Sequence, residues 1–325
     1  MLDTERAVRS LLSEVVPWAS TGCEVRECNV VQVRKHLGKR MAFVGLEVTD
    51  ASGGRQRGRV VIKRDGRRRA DAVFQILRQL RDAGLRPPAH VRVPEPLGTS
   101  RDGQVLVQEW VPGEMWADSL GNREVHEASA RAAEWLATLQ SLPVPAPASQ
   151  AHLSSVRRYA RELAVAHPSQ AAAIRQLSGR LLQGLGSVSP PLVPSHGDLH
   201  PKNLLIDGEV VTAVDLDTFA AREPAFDVGY AIGELIIMAI FRLGEAAAGL
   251  KAAAAFWFGY LQSGGTASPE RVGLHVGRTF LQSLHYELCV LRNSKDELLH
   301  RWPELAWEWM ESDGLATLEG ALRDR

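Results

Sequence analysis

Apolar positions recur at helical spacing near the start of the chain, at Val8, Leu11, Leu12, Val15 and Val16, which predicts a helix over residues 3–16 stopped by Pro17. From Glu24 the pattern turns β-branched: Val30, Val31 and Val33, then Phe43, Val44, Leu46 and Val48, then Val60, Val61 and Ile62. Three strands joined by turns follow from it. Helical spacing returns at Val73, Phe74, Ile76, Leu77 and Leu80, giving a helix over 68–83 that Gly84 ends. Residues 97–100 and 104–110 then read as a hairpin around Arg101-Asp-Gly103. A boundary between two lobes is placed near Val111, dividing the chain into residues 1–111 and 112–325.

Beyond that boundary the pattern is mostly helical. One helix over 122–142 carries Ala128, Ala132, Trp135, Leu136 and Leu139 on one face, and two more reach Leu185. Further helices are predicted over 225–243, 246–262 and 269–292, before a tail bearing Trp302, Trp307 and Trp309. Packing of a terminal helix is the favoured role for those tryptophans, with a ligand cage as the rival.

Composition removes several function classes. With 325 residues, 45% hydrophobic and 23% charged, the chain can bury a large core and fits two domains better than one. Lys and Arg number 38, as do Asp and Glu, so no overall field points to nucleic acid or an anionic membrane. The one basic cluster, residues 55–69, sets eight basic side chains against Asp65 but has no aromatics for base stacking, so it reads as a solvated strand edge. No apolar run reaches the length of a membrane span, the longest being broken by Glu234, and Met1-Leu-Asp-Thr-Glu-Arg is not a secretory signal. Cys23, Cys28 and Cys289 are too few for a disulfide framework and lack zinc-ligand spacing. Reduced thiols in a cytoplasmic protein are expected, with neither nucleic acid nor membrane as partner.

The chemistry gathers in Ser195-His-Gly-Asp-Leu-His-Pro-Lys-Asn203 and in Asp215-Leu-Asp217. Residues 203–206 read as a short strand, Asp207-Gly-Glu209 as its turn and 210–214 as the returning strand, which would bring Asp215 back beside Asn203. A carboxylate and an amide oxygen suit Mg²⁺, a hard cation that keeps several waters and nucleotide phosphates in its shell. Asp198, separated from Asn203 by Pro201, can face an acceptor instead, orient its hydroxyl and take its proton. Each residue alone has a plain structural explanation, Asp198 as a helix cap or His200 as a core histidine. The combination of HxDxxxxN, a hairpin and a second aspartate is much harder to obtain by accident.

His196-Gly-Asp-Leu-His-Pro-Lys-Asn203, with Val214-Asp-Leu-Asp217 and Pro224-Ala-Phe-Asp227, resembles the aminoglycoside phosphotransferase and choline kinase superfamily, relatives of the protein kinases. His200, two residues after Asp198, favours this branch. The resemblance implies an α+β, protein-kinase-like two-lobed fold, with a small N-terminal lobe of antiparallel sheet plus helix and a larger, mostly helical C-terminal lobe. It implies Asp198 as catalytic base, Asn203 and Asp215 as Mg²⁺ ligands, and Lys63, at the end of Val60-Val-Ile-Lys63, as the phosphate contact. It further implies Asp227 as an anchor for the backbone of the catalytic loop and Asp217 as an outer acid, with His196 and His200 in support. Gln108, Glu109 and Val111 would meet the adenine edge.

Two features depart from that pattern: Val73 occupies the helix position where a glutamate partner for Lys63 is expected, and the turn Lys35-His-Leu-Gly-Lys-Arg40 has a single glycine. The expected activity is ATP- or GTP-dependent, Mg²⁺-dependent phosphorylation of a hydroxyl on a small molecule, an aminoglycoside-like or other amine-bearing compound being one candidate, with Glu223, Glu234, Glu287 and the tail tryptophans as candidate acceptor contacts. The alternative is a nucleotide-binding pseudokinase. The oligomeric state is left open.

Overall fold

The computed structural model describes residues 4–16, 24–36, 38–49, 52–65, 69–187, 190–293, 295, 297–311 and 318. Asp3, Pro17, Cys23, Arg67 and Arg68, which figure in the expectations above, lie outside the described residues. The chain packs into two units, Met1–Gly113 with Thr212–Asp217, and Glu114–Val211 with Thr218–Arg325.

In the first unit, α1 (Glu5–Val15) starts at Thr4, whose Oγ1 accepts from the Ala7 N–H at 3.4 Å. An 11-residue helix is marginal by itself. Burial of Val8, Leu11, Leu12 and Val15 is what holds it, since covering each aliphatic side chain is worth about 1.5–3 kcal/mol. It packs with the sheet formed by β1 (Glu24–His36), β2 (Lys39–Thr49), β3 (Arg55–Asp65), β5 (Pro96–Thr99) and β6 (Val105–Glu109), in the antiparallel order β1-β2-β3-β6-β5. Between β3 and β5 come α2 (Ala70–Asp82) and the two-residue β4 (Val91–Arg92). The register sets Met41 opposite Lys63 and Ile62 opposite Val107. Successive side chains of β3 point to opposite faces, so burying Ile62 in the core commits Lys63 to the other face.

The second unit begins with β7 (Glu114–Met115) and a 3₁₀ turn at Trp116–Ser119, neither of which the apolar pattern reveals because each spans only about one period and so shows no recurrence. Then come α3 (Val125–Ser141), α4 (Ala151–Ala166), α5 (Ala171–Gly186), β8 (Val193–Ser195), β9 (Leu204–Asp207), β10 (Val210–Ala213), whose last two residues are counted with the first unit, and β11 (Ala220–Arg222). β8 pairs antiparallel with β11, and β7 with β9. α6 (Ala225–Leu243), α7 (Ala247–Gln262), α8 (Pro269–His285) and α9 (Leu298–Glu311) complete it. α6 is apolar nearly all round and buried from Ala225 to Ile240 except at Glu234. It meets α8 closely at two glycines, since a Cβ at Gly229 would lie 2.5 Å from the His275 Cβ and one at Gly233 would lie 2.8 Å from Thr279.

The helix predicted over 269–292 is in fact two pieces. The α-helix ends at His285 and a π-turn, Tyr286–Val290, continues it, closed by the Leu291 N–H donating to the Tyr286 carbonyl at 2.9 Å. Period-3.6 reading cannot see a single wide turn. Trp302 is fully buried with Nε1 on Ser283 Oγ at 3.1 Å, and Trp309 is buried as well, so core packing accounts for both. The structure thus removes these two as acceptor contacts.

Candidate active site

The loop after β8 is fixed from beneath. Asp227, in the first turn of α6 and fully buried, accepts the His196 N–H on Oδ2 at 2.8 Å and the Gly197 N–H on Oδ1 at 2.9 Å. Gly197 has φ +82°, and a side chain there would collide with the Thr218 carbonyl and the Arg222 guanidinium. Arg222 in turn donates to the Thr218 carbonyl at 2.9 Å and to Ser195 Oγ at 3.3 Å. His196 is buried against Trp135, ring centroids 5.9 Å apart, and its Nδ1 accepts the Asp198 N–H at 3.3 Å.

These contacts present the Asp198 carboxylate with one oxygen engaged. The Tyr230 hydroxyl donates to Oδ1 at 2.7 Å, while Asn203 Nδ2 donates to the Asp198 carbonyl at 2.9 Å and approaches Oδ2 at 3.5 Å. Burial, then the nearby Glu234 and Asp198 carboxylates, push the Tyr230 pKa well up, so the phenol stays protonated and keeps donating. With Nδ2 so engaged, Asn203 Oδ1 is its remaining oxygen donor. His200 caps the 3₁₀ turn Pro201–Asn203 by accepting the Lys202 N–H on Nδ1 at 3.0 Å, and its Nε2 lies 3.2 Å from Glu234.

In the first unit, Lys63 Nζ lies 3.3 Å from Asp215 Oδ1 and Lys39 Nζ lies 2.6 Å from Asp217 Oδ2. All four line one cavity of about 60 Å³ together with Val73. The acid missing from α2 is therefore supplied to Lys63 by Asp215. Asp215 sits at φ +65°, in the left-handed region that a non-glycine residue enters at a cost and that functional sites retain. The Lys39 pKa is raised: burial pulls it down, but the bond to Asp217 and the charges of Asp215, Asp217 and Asp65 outweigh that. Gln108, buried, faces Val61 in the β3–β6 ladder, and the Glu109 N–H donates to the Glu95 carbonyl at 2.8 Å. Val111, partly exposed, follows β6.

Among the acceptor candidates, Glu223 is consumed by Arg271 and by His275 Nε2 at 2.8 Å, and Glu287 by Lys295 at 3.1 Å and Asn293 at 2.6 Å. Glu234 alone of the three stands on the catalytic loop, through His200. Sequence reading missed Tyr230 as part of the site and met Lys39 only as one of the basic residues of the turn Lys35–Arg40. A signal for Tyr230 exists, because Asp227, Tyr230 and Glu234 follow one another at intervals of three and four residues and so share one face of α6.

Oxygen donors suit Mg²⁺: in the first unit the Asp215 carboxylate already meets a cation in the form of the Lys63 ammonium, and in the second unit Asn203 keeps its Oδ1, so each side chain taken by itself has the donor chemistry of a hard-cation ligand. Among the described residues no group of three or more His, Cys, Asp or Glu is placed to hold a metal ion without other ligands.

An α+β chain with an antiparallel sheet, an internal lysine–aspartate pair and an anchored aspartate loop defines a kinase-like phosphotransferase. The family model of the phosphotransferase enzyme family matches residues 47–270, more than half of the chain, and the chain belongs to that family, a family of small-molecule kinases. Among solved structures it is similar to a choline/ethanolamine kinase family protein from Mesorhizobium loti, at 18% identity over 98% of this chain and 99% of that one, TM-score 0.61. It is also similar to a spectinomycin phosphotransferase in complex with ADP and spectinomycin (12%, 99% and 100%, 0.58) and to an amicoumacin kinase in complex with AMP-PNP and Ca²⁺ (14%, 94% and 93%, 0.62). At these identities the likeness is one of fold. No curated protein matches the chain in sequence.

Proposed function

We propose that the chain is a Mg²⁺-dependent O-phosphotransferase that moves the terminal phosphoryl group of ATP or GTP to a hydroxyl of a small molecule. The observation that carries this reading is the state of Asp198: its loop is clamped by Asp227, one carboxylate oxygen is held by Tyr230, and the other is left with only a long approach from Asn203. A carboxylate so placed orients the acceptor hydroxyl and takes its proton as the oxygen–phosphorus bond forms. Lys63 binds nucleotide phosphate, Asn203 and Asp215 hold the metal with Asp217 as an outer acid, and the segment Gln108, Glu109 and Val111 meets the base. The bound ion supplies neutralisation of phosphate charge. An amine on the acceptor would rest on Glu234, the one candidate acid on the catalytic loop. The cytoplasm, where nucleotide is supplied and thiols such as Cys28 and Cys289 stay free, is the proposed compartment. Among the described residues no helix is long and apolar enough to cross a membrane.

The test is phosphoryl transfer from ATP and GTP, with Mg²⁺, to a panel of amino sugars, aminocyclitols, choline and simple hydroxy compounds. Transfer in the wild type that disappears in Asp198→Ala is expected. A second reading, nucleotide binding without turnover, draws on Val73 in the glutamate position. Nucleotide binding with no transfer to any acceptor, identical in Asp198→Ala, would establish it instead.

A further inference from the structure

No acid of α2 competes with Asp215 for Lys63. The face of α2 that lines the aspartate cavity carries Ala70 and Val73, and the helix's own acids, Asp71 and Asp82, are exposed and outside that lining. Among the described residues, the one carboxylate within salt-bridge distance of Lys63 is Asp215, at 3.3 Å. Asp215 is also the acid proposed to hold the metal. One carboxylate therefore has two claimants, the Lys63 ammonium and a divalent ion.

The strand register reinforces the pairing. Lys39 stands opposite Asp65 and Met41 opposite Lys63, so the two lysines share one face of the sheet, one diagonal apart. Asp215 and Asp217 are also two positions apart, and Asp217 meets Lys39 at 2.6 Å. The cavity that holds these groups is about 60 Å³, and its described lining sets five basic side chains against three acids. It thus presents an excess of positive charge to a free divalent ion. Taking Asp215 away from Lys63 would also strand a shielded ammonium without its partner, which carries a desolvation cost. Phosphate reverses both effects, because it brings negative charge and gives Lys63 an acceptor.

We infer that Lys63 is a lock on Asp215: the nucleotide-free chain keeps a free divalent cation off this carboxylate, and phosphate opens it by drawing the lysine away. Val73 makes the lock, because a glutamate in its place would hold Lys63 and leave Asp215 open. Nucleotide and metal then bind with positive coupling, and each tightens the other by the same factor. The inference rests on the phosphotransferase reading for the role of Asp215 as a metal ligand.

The experiment is titration of the whole, nucleotide-free chain with Mn²⁺, the free ion being followed by its electron paramagnetic resonance signal. Lys63→Met and, independently, Val73→Glu should each bind Mn²⁺ about 10–100-fold more tightly than the wild type, the range of a lost charge-assisted hydrogen bond. Val73 is buried, so circular dichroism checks that Val73→Glu folds, and Lys63→Met carries the test by itself where it does not. Arg69→Met removes one charge from the same cavity without touching Asp215, and should leave the affinity within about fivefold. No gain in Lys63→Met overturns the lock, and so does an equal gain in Arg69→Met, which would mean a general field. A folded Val73→Glu with wild-type affinity overturns the role given to Val73. No turnover enters these measurements. Phosphoryl transfer by a chain whose wild type and Lys63→Met bind Mn²⁺ equally overturns the lock alone, whereas absence of transfer overturns the phosphotransferase reading and leaves the Mn²⁺ result standing.

Discussion

The catalytic loop of the second unit and the aspartate pocket of the first hold their carboxylates in different ways. In the loop, Asp227 is satisfied by two backbone N–H groups and Asp198 by a phenol, donors fixed to rigid elements. In the pocket, Asp215 and Asp217 are met by the ammonium ends of Lys63 and Lys39, long side chains whose tips can move. A base has to be positioned before substrate arrives, because reorganising it during the reaction raises the barrier. A cation on the acid proposed to bind metal only needs to be exchangeable. The loop is therefore preorganised, and the pocket is in a lysine-paired state that the proposed nucleotide and metal would rearrange.

The largest test of that contrast is Asp198→Asn, which keeps shape and removes basicity. Turnover should fall by about 10²–10⁴-fold while Tm stays nearly constant. A large fall in Tm would show that Asp198 is chiefly structural. Asp227→Ala should do the reverse of Asp198→Asn, destabilising the protein by about 3 kcal/mol, because two charge-assisted hydrogen bonds vanish and two N–H groups in the loop are left buried. Chemical denaturation measures it, and a change under about 0.5 kcal/mol, the size of an ordinary surface substitution, would contradict the clamp.

Much of this contrast was legible in the chain before any coordinates. The strand alternation from Val30 to Ile62 gives the sheet of the first unit, and HxDxxxxN with Asp227 gives the loop, because short-range spacing there encodes short-range geometry. The pairing of Lys39 with Asp217 joins positions 178 residues apart, and no local period carries such information. The π-turn after His285 and the 3₁₀ turn at Trp116 were invisible because each is a single irregular turn. Glu223 illustrates a third limit: as a sequence letter it is an acid near the motif, but folding spends it on Arg271 and His275.

That buried cluster lends the second unit an acid sensitivity. Burial raises the Glu223 pKa, but hydrogen bonds from Arg271 and His275 overcome it and bring the value to about 2, below its ordinary 4.5. Burial also holds His275 at about 4 and His152 at about 3, below 6.5. All three bind protons more weakly folded than unfolded, so their contribution is complete above about pH 6.5 and drains as pH falls towards 2. Glu223→Gln should cost a few kcal/mol at neutral pH and flatten the stability curve between about pH 4.5 and 2. A parallel curve, merely shifted down, would mean that Glu223 titrates normally.

The smallest effect separates the two lysines. Lys63 is 14% exposed and pairs with Asp215, whereas Lys39 is 45% exposed and pairs with Asp217, the acid outside the proposed metal shell. Losing a shielded phosphate contact costs more than losing one that solvent screens. Lys63→Ala should therefore raise the KM for nucleotide by about 10–100-fold, in the range of a lost charge-assisted hydrogen bond, and Lys39→Ala by less than about tenfold. Lys39→Ala should also show the weaker dependence on salt of the two remaining activities, since the screened charge is the one removed. Equal effects would mean that Lys39, reaching over from a turn with one glycine, does the work that backbone N–H groups do in a glycine-rich loop, and the pocket would then hold two phosphate lysines.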